Sequence, residues 1–191
     1  MRSLLVAGFG AFPGHRRNPA EFCARWLDKR KRIFAVAGID LHTAVLPVEF
    51  SALSPTLSQI FARTGPDAVL LLGVARRRRR LAIETLARNR VSTLKPDAAR
   101  QKAYCRAIVH GGPDFLRAGC SPARLAAIAR RGGLPATLSR DAGDYLCNES
   151  FYLSLLMDRR ACFLHLPDWR GLRLERAAGV ILAMAKKFAI E

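Results

Sequence analysis

No stretch of the sequence is apolar for long enough to cross a membrane. The best run, Ala68–Ala75, has Gly73 inside it and falls far short of the ~20 residues a spanning helix needs. Aromatic residues are scarce, at 8%, and they do not interleave with the basic clusters as single-strand nucleic-acid binders require. Zinc-finger spacing, a basic-region heptad and an aromatic RNP pattern are all missing, so nucleic acid is not an expected partner. The five cysteines, Cys23, Cys105, Cys120, Cys147 and Cys162, are odd in number, widely spaced and without a CxxC pair. That excludes a dense disulfide framework and fits a reducing cytoplasm. A buried thiol is the ordinary state of such residues. The four histidines, His15, His42, His110 and His165, have no metal-ligand spacing to the cysteines. Neither a G-x-S-x-G elbow nor an H-E-x-x-H helix occurs. No metal and no cofactor are expected. Acidic residues are few as well: 15 Asp+Glu stand against 32 Lys+Arg, for a net charge of +17. A field of that size draws a protein toward anions but says nothing about its fold. Most of the basic residues are Arg and the chain is rich in Ala, as GC-rich coding produces, and that is the simpler account of the charge.

What is present is an ordinary globular composition, 50% hydrophobic and 25% charged over 191 residues. This is enough for one domain, residues 1–191, with a full core. Met1-Arg2 followed by Leu4–Phe9 imitates a signal peptide, but no A-x-A cleavage site follows. A first buried strand, Ser3–Gly8, is expected instead, opening into a Gly-Phe-Gly turn. Asn18-Pro19 reads as a cap and first position of a helix reaching about Lys31. Strands are expected at Ile39–Val48, Ala68–Gly73, Leu81–Ala87, Pro135–Ser139 and Ala161–Leu166. Helices are expected at Leu53–Arg63, Ser121–Arg131, Cys147–Met157 and Leu174–Phe188. Between Arg90 and Cys120 the polar, Pro- and Gly-broken sequence predicts loops and one irregular strand. Strands alternating with helices, without repeat or linker, give an α/β layered fold.

The first turn invites a nucleotide reading, because Gly8, Gly10 and Gly14 lie between a strand and a helix. The spacing is not G-x-G-x-x-G, and Phe9, Phe12 and Pro13 crowd the place where phosphate would approach. Two phenylalanines in a glycine turn suit an apolar slot or simple core packing. A cysteine nucleophile needs a base and a group to orient that base. Cys147 follows the turn Asp141-Ala142-Gly143-Asp144 at a helix start, a position that favours an anion and can depress a thiol pKa to ~3.5–7.5. His165, at the end of a buried strand before Pro167, is the best base. Glu84 lies in an apolar stretch where a carboxylate needs a partner, either His165 or a neighbouring arginine. On residue chemistry alone this trio is one of several Cys/His pairings.

Four separated segments narrow the choice. Leu5–Pro19, LVAGFGAFPGHRRNP, resembles a GF-x-PFGG…NP opening. Leu46–Phe50, LPVEF, follows. Gly73–Asn89, GVARRRRRLAIETLARN, is similar to GQAGGR…E-R-V-A-x-N. Leu134–Tyr152, LPATLSRDAGDYLCNESFY, carries an AGxYxCN nucleophile block, and His165 stands in LHLP. In order and spacing they resemble pyroglutamyl peptidase I, the pyrrolidone-carboxylate peptidases of peptidase family C15.

The resemblance implies a three-layer α/β/α sandwich around a twisted mixed sheet, of phosphorylase/hydrolase-like type. It also implies a cytoplasmic cysteine exopeptidase that removes N-terminal 5-oxoproline from peptides. The family's nucleophile falls on Cys147, its histidine on His165 and its glutamate on Glu84. Phe9, Phe12, Tyr145 and Leu146 fall on the positions lining the lactam pocket. The expected partners are peptides with N-terminal 5-oxoproline, with no membrane association; homo-oligomerisation is compatible with the sequence. Two segments depart from the pattern. The family's Gln-Ala-Gly-Gly-Arg is here Val74-Ala75-Arg76-Arg77-Arg78, and of its R-x-P-D-N-x-G stretch only Pro96-Asp97 remains. These changes leave the catalytic three intact and alter the pocket rim, so the specificity is open. The rival reading is a catalytically weak relative that binds nucleic acid or an acidic partner through Arg76–Arg80, a run that is otherwise a solvated loop.

Overall fold

The computed structural model describes residues 1–13, 16–157 and 160–191. Gly14, the third glycine of the turn, and His15, one of the four histidines, lie outside the described residues. The apolar runs become strands β1 (Arg2–Phe9), β2 (Ile39–Leu46), β3 (Ala68–Val74), β4 (Leu81–Glu84), β5 (Leu86–Arg88), β6 (Phe115–Arg117), β7 (Ala136–Ser139) and β8 (Arg160–Leu166). The helices are α1 (Pro19–Asp28), α2 (Lys31–Ala35), α3 (Phe50–Thr64), α4 (Pro122–Arg131), α5 (Leu146–Leu156) and α6 (Gly171–Ile190). Six strands form one sheet in the order β2-β1-β3-β8-β4-β7. The first four are mutually parallel; β4 runs antiparallel to β8 and parallel to β7. The sheet is therefore mixed, as the resemblance implies.

Strand side chains alternate between faces, and the two faces bury different helices. Leu4, Val6, Leu70, Leu72, Cys162 and Leu164 pack with α1, α4 and α6. Leu5, Ala7, Val69, Leu71, Ala161 and Phe163 pack with α3 and α5. Strand β3 carries no polar residue and β8 none between Arg160 and His165, because both are covered on both sides. Asn18 caps α1 by accepting from the Ala20 N–H at 3.0 Å, and its amide donates to the Gly10 carbonyl at 2.8 Å. Gly8 lets α1 lie against β1: a Cβ there would stand 2.3 Å from the Ala20 carbonyl oxygen. The first glycine thus serves helix–strand packing.

Four expectations are corrected. The stretch Leu81–Ala87 is two strands. At Thr85 the chain leaves the main sheet for the β5–β6 ribbon, held by the Thr85 N–H and hydroxyl, which both donate to the Ser139 carbonyl at 2.7 and 3.0 Å. The first helix stops at Asp28, and a separate short turn of helix, α2, follows. Strand β2 ends at Leu46, one residue before a proline that cannot donate to a ladder. Ser121-Pro122 reads in sequence as a cap and first helical position; Ser121 does stand at the start of α4, but its side chain makes no capping bond.

Candidate active site

One row of residues crosses the sheet: Gly73 on β3, His165 on β8, Ala82 on β4 and Thr137 on β7 are register partners in turn. Leu72, Leu164, Leu81, Ile83 and Ala136 belong to the opposite face, so this row and Glu84 lie on the α3–α5 side. Helix α5 starts over the same place. Its second residue, Cys147, has its Sγ 3.0 Å from where a Cβ on Gly73 would stand, so nucleophile candidate and histidine strand meet at one glycine. Replacing Gly73 by alanine would also put the new methyl 2.8 Å from Phe163 Cζ. We expect Gly73→Ala to cost about 1–3 kcal/mol in stability and to displace Cys147. Chemical unfolding and peptidase assays of the variant check this, and unchanged activity would contradict it.

Glu84 is fully buried, and its Oε1 accepts twice: from His165 Nδ1 at 2.8 Å and from Arg78 Nη1 at 2.7 Å. A carboxylate can only accept, so His165 carries its proton on Nδ1 and keeps Nε2 free. Arg78 also donates from Nη2 to the Asp141 carbonyl at 2.7 Å, tying the Glu84 carboxylate to the loop that leads into α5. Both partners proposed for Glu84 from the sequence are therefore present at once. Glu84 Oε2 is buried without a hydrogen bond, so Arg78 and His165 share one oxygen.

The Cys147 thiol departs from the expected direction. Burial, and then the Glu84 charge, push it up to about 12; Arg78 and its own backbone N–H pull it down but do not win. The resting site holds a neutral thiol, and the helix start is outweighed by desolvation. Cys23 and Cys162 are buried, whereas Cys105 is exposed, so Cys147 does not stand alone as an accessible thiol.

Of the pocket candidates, Phe12 and Tyr145 are brought together. They line a cavity of about 490 Å³ with Pro13, Pro96, Asp97 and Ala98. Phe9 and Leu146 are buried in the cluster beneath, at 4% and 1% exposure, and form packing more than lining. The segment around Pro96-Asp97 covers the cavity. Tyr145 Oη donates to the Pro96 carbonyl at 2.9 Å, and the buried Asp97 carboxylate accepts from the Phe50 and Gln101 N–H groups at 2.9 and 2.8 Å. Lys95 pairs with Asp144. The two residues surviving from the family's stretch are those that hold it down.

Sequence reasoning gave no role to Asn148, next to Cys147. Its amide clamps β5 to α5, accepting from the Arg88 N–H at 2.9 Å and donating to the Arg88 and Arg90 carbonyls at 2.7 and 2.8 Å. The Cys-Asn pair in the nucleophile block was the signal. Among the described residues no cluster of three His, Cys, Asp or Glu side chains could hold a metal ion, and no helix is long and apolar enough to cross a membrane.

The profile of the pyroglutamyl peptidase family matches residues 2–170. The chain belongs to this family. It is 34% identical over 168 residues to the pyrrolidone-carboxylate peptidase of Chromobacterium violaceum, covering 87% of this chain and 78% of that protein. With the pyrrolidone-carboxylate peptidase of Pyrococcus furiosus it shares 31% identity over 170 residues, covering 86% and 80%. The crystal structure of the pyrrolidone carboxyl peptidase of Fervidobacterium islandicum superposes with a TM-score of 0.86 at 26% identity, over 98% of each chain. The family's fold, an α/β sheet flanked by helices, is the fold seen here. The departure at Arg76-Arg77 is also accommodated: among the described non-glycine residues only Arg100 has a positive φ, so these arginines occupy backbone that needs no glycine.

Two residues beyond Cys147, Glu149 is a partly buried carboxyl. Its Oε2 has no hydrogen-bond partner, and burial pushes its pKa up to about 7. A carboxyl raised on folding contributes its stability in full below the unfolded value of 4.5 and loses it as pH rises to about 7. We expect the stability of Glu149→Gln relative to the native chain to increase between pH 4.5 and pH 7 by on the order of 1–3 kcal/mol. Urea unfolding of both proteins at the two ends of that range measures it. A difference independent of pH would contradict it.

Proposed function

We propose that this chain is a cysteine exopeptidase that removes 5-oxoproline from the N-terminus of peptides. Cys147 is the nucleophile, His165 the base and then the acid, and Glu84 the group that orients His165. The observation that carries the reading is the hydrogen bond from His165 Nδ1 to the buried Glu84, on the sheet face that Cys147 abuts, in a chain of the pyroglutamyl peptidase family. His165 Nε2 takes the thiol proton as Sγ bonds to the carbonyl carbon of the 5-oxoprolyl residue. Backbone N–H groups at the start of α5, left without helical partners, stabilise the oxyanion. The C–N bond breaks, the leaving amine takes the proton from His165, and a thioester remains. Water, deprotonated by His165, attacks it and releases 5-oxoproline and the thiol.

The substrate has no free amine and no charge at its first residue. A cavity bounded by Phe12, Tyr145, Pro13 and Pro96 suits a flat lactam; the Asp97 carboxylate on its wall is committed to the Phe50 and Gln101 N–H groups, so a charged amine would be desolvated there at a cost. The five free cysteines support a reducing, cytoplasmic setting. The test is release of a fluorogenic amine from pyroglutamyl, prolyl and glutamyl conjugates. The first should be cleaved and the other two not. Equal cleavage of prolyl and pyroglutamyl conjugates would show a remade pocket, and no cleavage at all would favour a binding protein.

A further inference from the structure

The loop 75–80 joins β3 to β4 across the end of β8, fastened by the Ala75 N–H donating to the Leu166 carbonyl at 2.8 Å. Of its five arginines only Arg78 turns inward; Arg76, Arg77, Arg79 and Arg80 are exposed. Arg79 and Arg80 do something the other two do not. With Arg78, Thr137, Leu138 and Ser139 they line a recess of about 440 Å³. Among the described residues neither has an ion-pair partner, and the lining contains no carboxylate.

The sheet register fixes where this recess lies. Thr137 is the neighbour of Ala82, which is the neighbour of His165, and Ser139 is the neighbour of Glu84. Thr137 and Ser139 therefore point to the catalytic face, two strands from His165, or about 10 Å at ordinary strand spacing. An extended peptide covers that distance in about three residues. The recess shares Arg78 with the catalytic carboxylate and opens on the wing of the sheet that α3 and α5 leave uncovered.

We propose that this recess is a subsite for a carboxylate of the leaving peptide, either an acidic side chain or the C-terminal carboxylate within the first three residues after the scissile bond. Arg79 and Arg80 bind the anion; the Thr137 and Ser139 hydroxyls beside them donate to the Leu138 and Asp141 carbonyls, both at 3.3 Å, so the guanidinium groups supply the binding. Two guanidinium groups without an intramolecular anion match a carboxylate well. The inference rests on the peptidase reading above, and it explains the replacement of a glycine-rich loop by arginines as a change of substrate class.

Three peptides test it: pyroglutamyl-alanyl-alanine amide, the same peptide as free acid, and pyroglutamyl-alanyl-aspartate α-amide. At low salt, kcat/KM for one or both acidic peptides should exceed that of the neutral amide by about three- to tenfold, and the advantage should collapse near 0.5 M salt, since the ions are partly exposed. Whichever acid shows the advantage identifies the source of the carboxylate. The double variant Arg79→Ala/Arg80→Ala should bring the ratio to about one, while Arg76→Ala/Arg77→Ala, outside the recess, should retain it. Equal cleavage of all three peptides would overturn the subsite. So would an advantage that falls equally in both double variants, which would assign it to the diffuse charge of the chain. Failure to cleave even the neutral peptide would overturn the peptidase reading, and the subsite with it.

Discussion

Replacing Cys147 by alanine is expected to lower turnover of a pyroglutamyl substrate by about 10⁴-fold or more, while the unfolding midpoint moves by little. Removing a nucleophile abolishes the covalent path and leaves only the residual effect of binding and oxyanion donors. The thiol is half-buried against Gly73 and Phe163, and the carboxylate, imidazole and guanidinium beneath it keep all their mutual bonds when it is gone. Alanine removes one atom and no hydrogen-bond partner of another side chain. Steady-state assays and thermal unfolding of the same preparation separate loss of chemistry from loss of fold. Activity within about tenfold of the native chain would remove Cys147 from the mechanism.

Arg78→Met is the second large effect. Glu84 is fully buried, and Arg78 is its cationic partner at 2.7 Å. Breaking such a pair leaves a buried charge with only the imidazole to compensate it, at a cost of about 2–4 kcal/mol, somewhat below a fully buried pair because Arg78 is 29% exposed. The loop that enters α5 also loses its tie at Asp141. Activity should fall by about 10²-fold, mainly in kcat, because Arg78 acts through the position of Glu84 and of the loop entering α5. The double variant Arg78→Met/Glu84→Gln should regain much of the stability, since no uncompensated charge remains, but none of the activity. Additive losses of stability in that cycle would contradict the coupling.

The strands of the sheet were legible because they are continuous apolar runs bounded by Pro and Gly, and Ala68–Gly73 and Ala161–Leu166 lie within one residue of β3 and β8. The break at Thr85 was not legible. It depends on the Ser139 carbonyl, 54 residues away, and nothing local in Leu81–Ala87 marks it. The candidate trio was legible through motif resemblance more than through physics, since the histidine–glutamate contact spans 81 residues. Five consecutive arginines look alike in sequence; only the folded chain sends Arg78 to Glu84 and leaves Arg79 and Arg80 facing Thr137 and Ser139. The direction of the Cys147 shift was missed because a helix start can be read from sequence, whereas the burial that outweighs it cannot.

The central claim is that Cys147 carries the acyl group. Mixing the chain with excess pyroglutamyl substrate, quenching in acid and mapping the digest by mass should reveal one pyroglutamyl group on the peptide containing Cys147 and on no other, since acid preserves a thioester. An adduct on Cys105 or another cysteine, or steady turnover with no adduct and undiminished activity in Cys147→Ala, would contradict it.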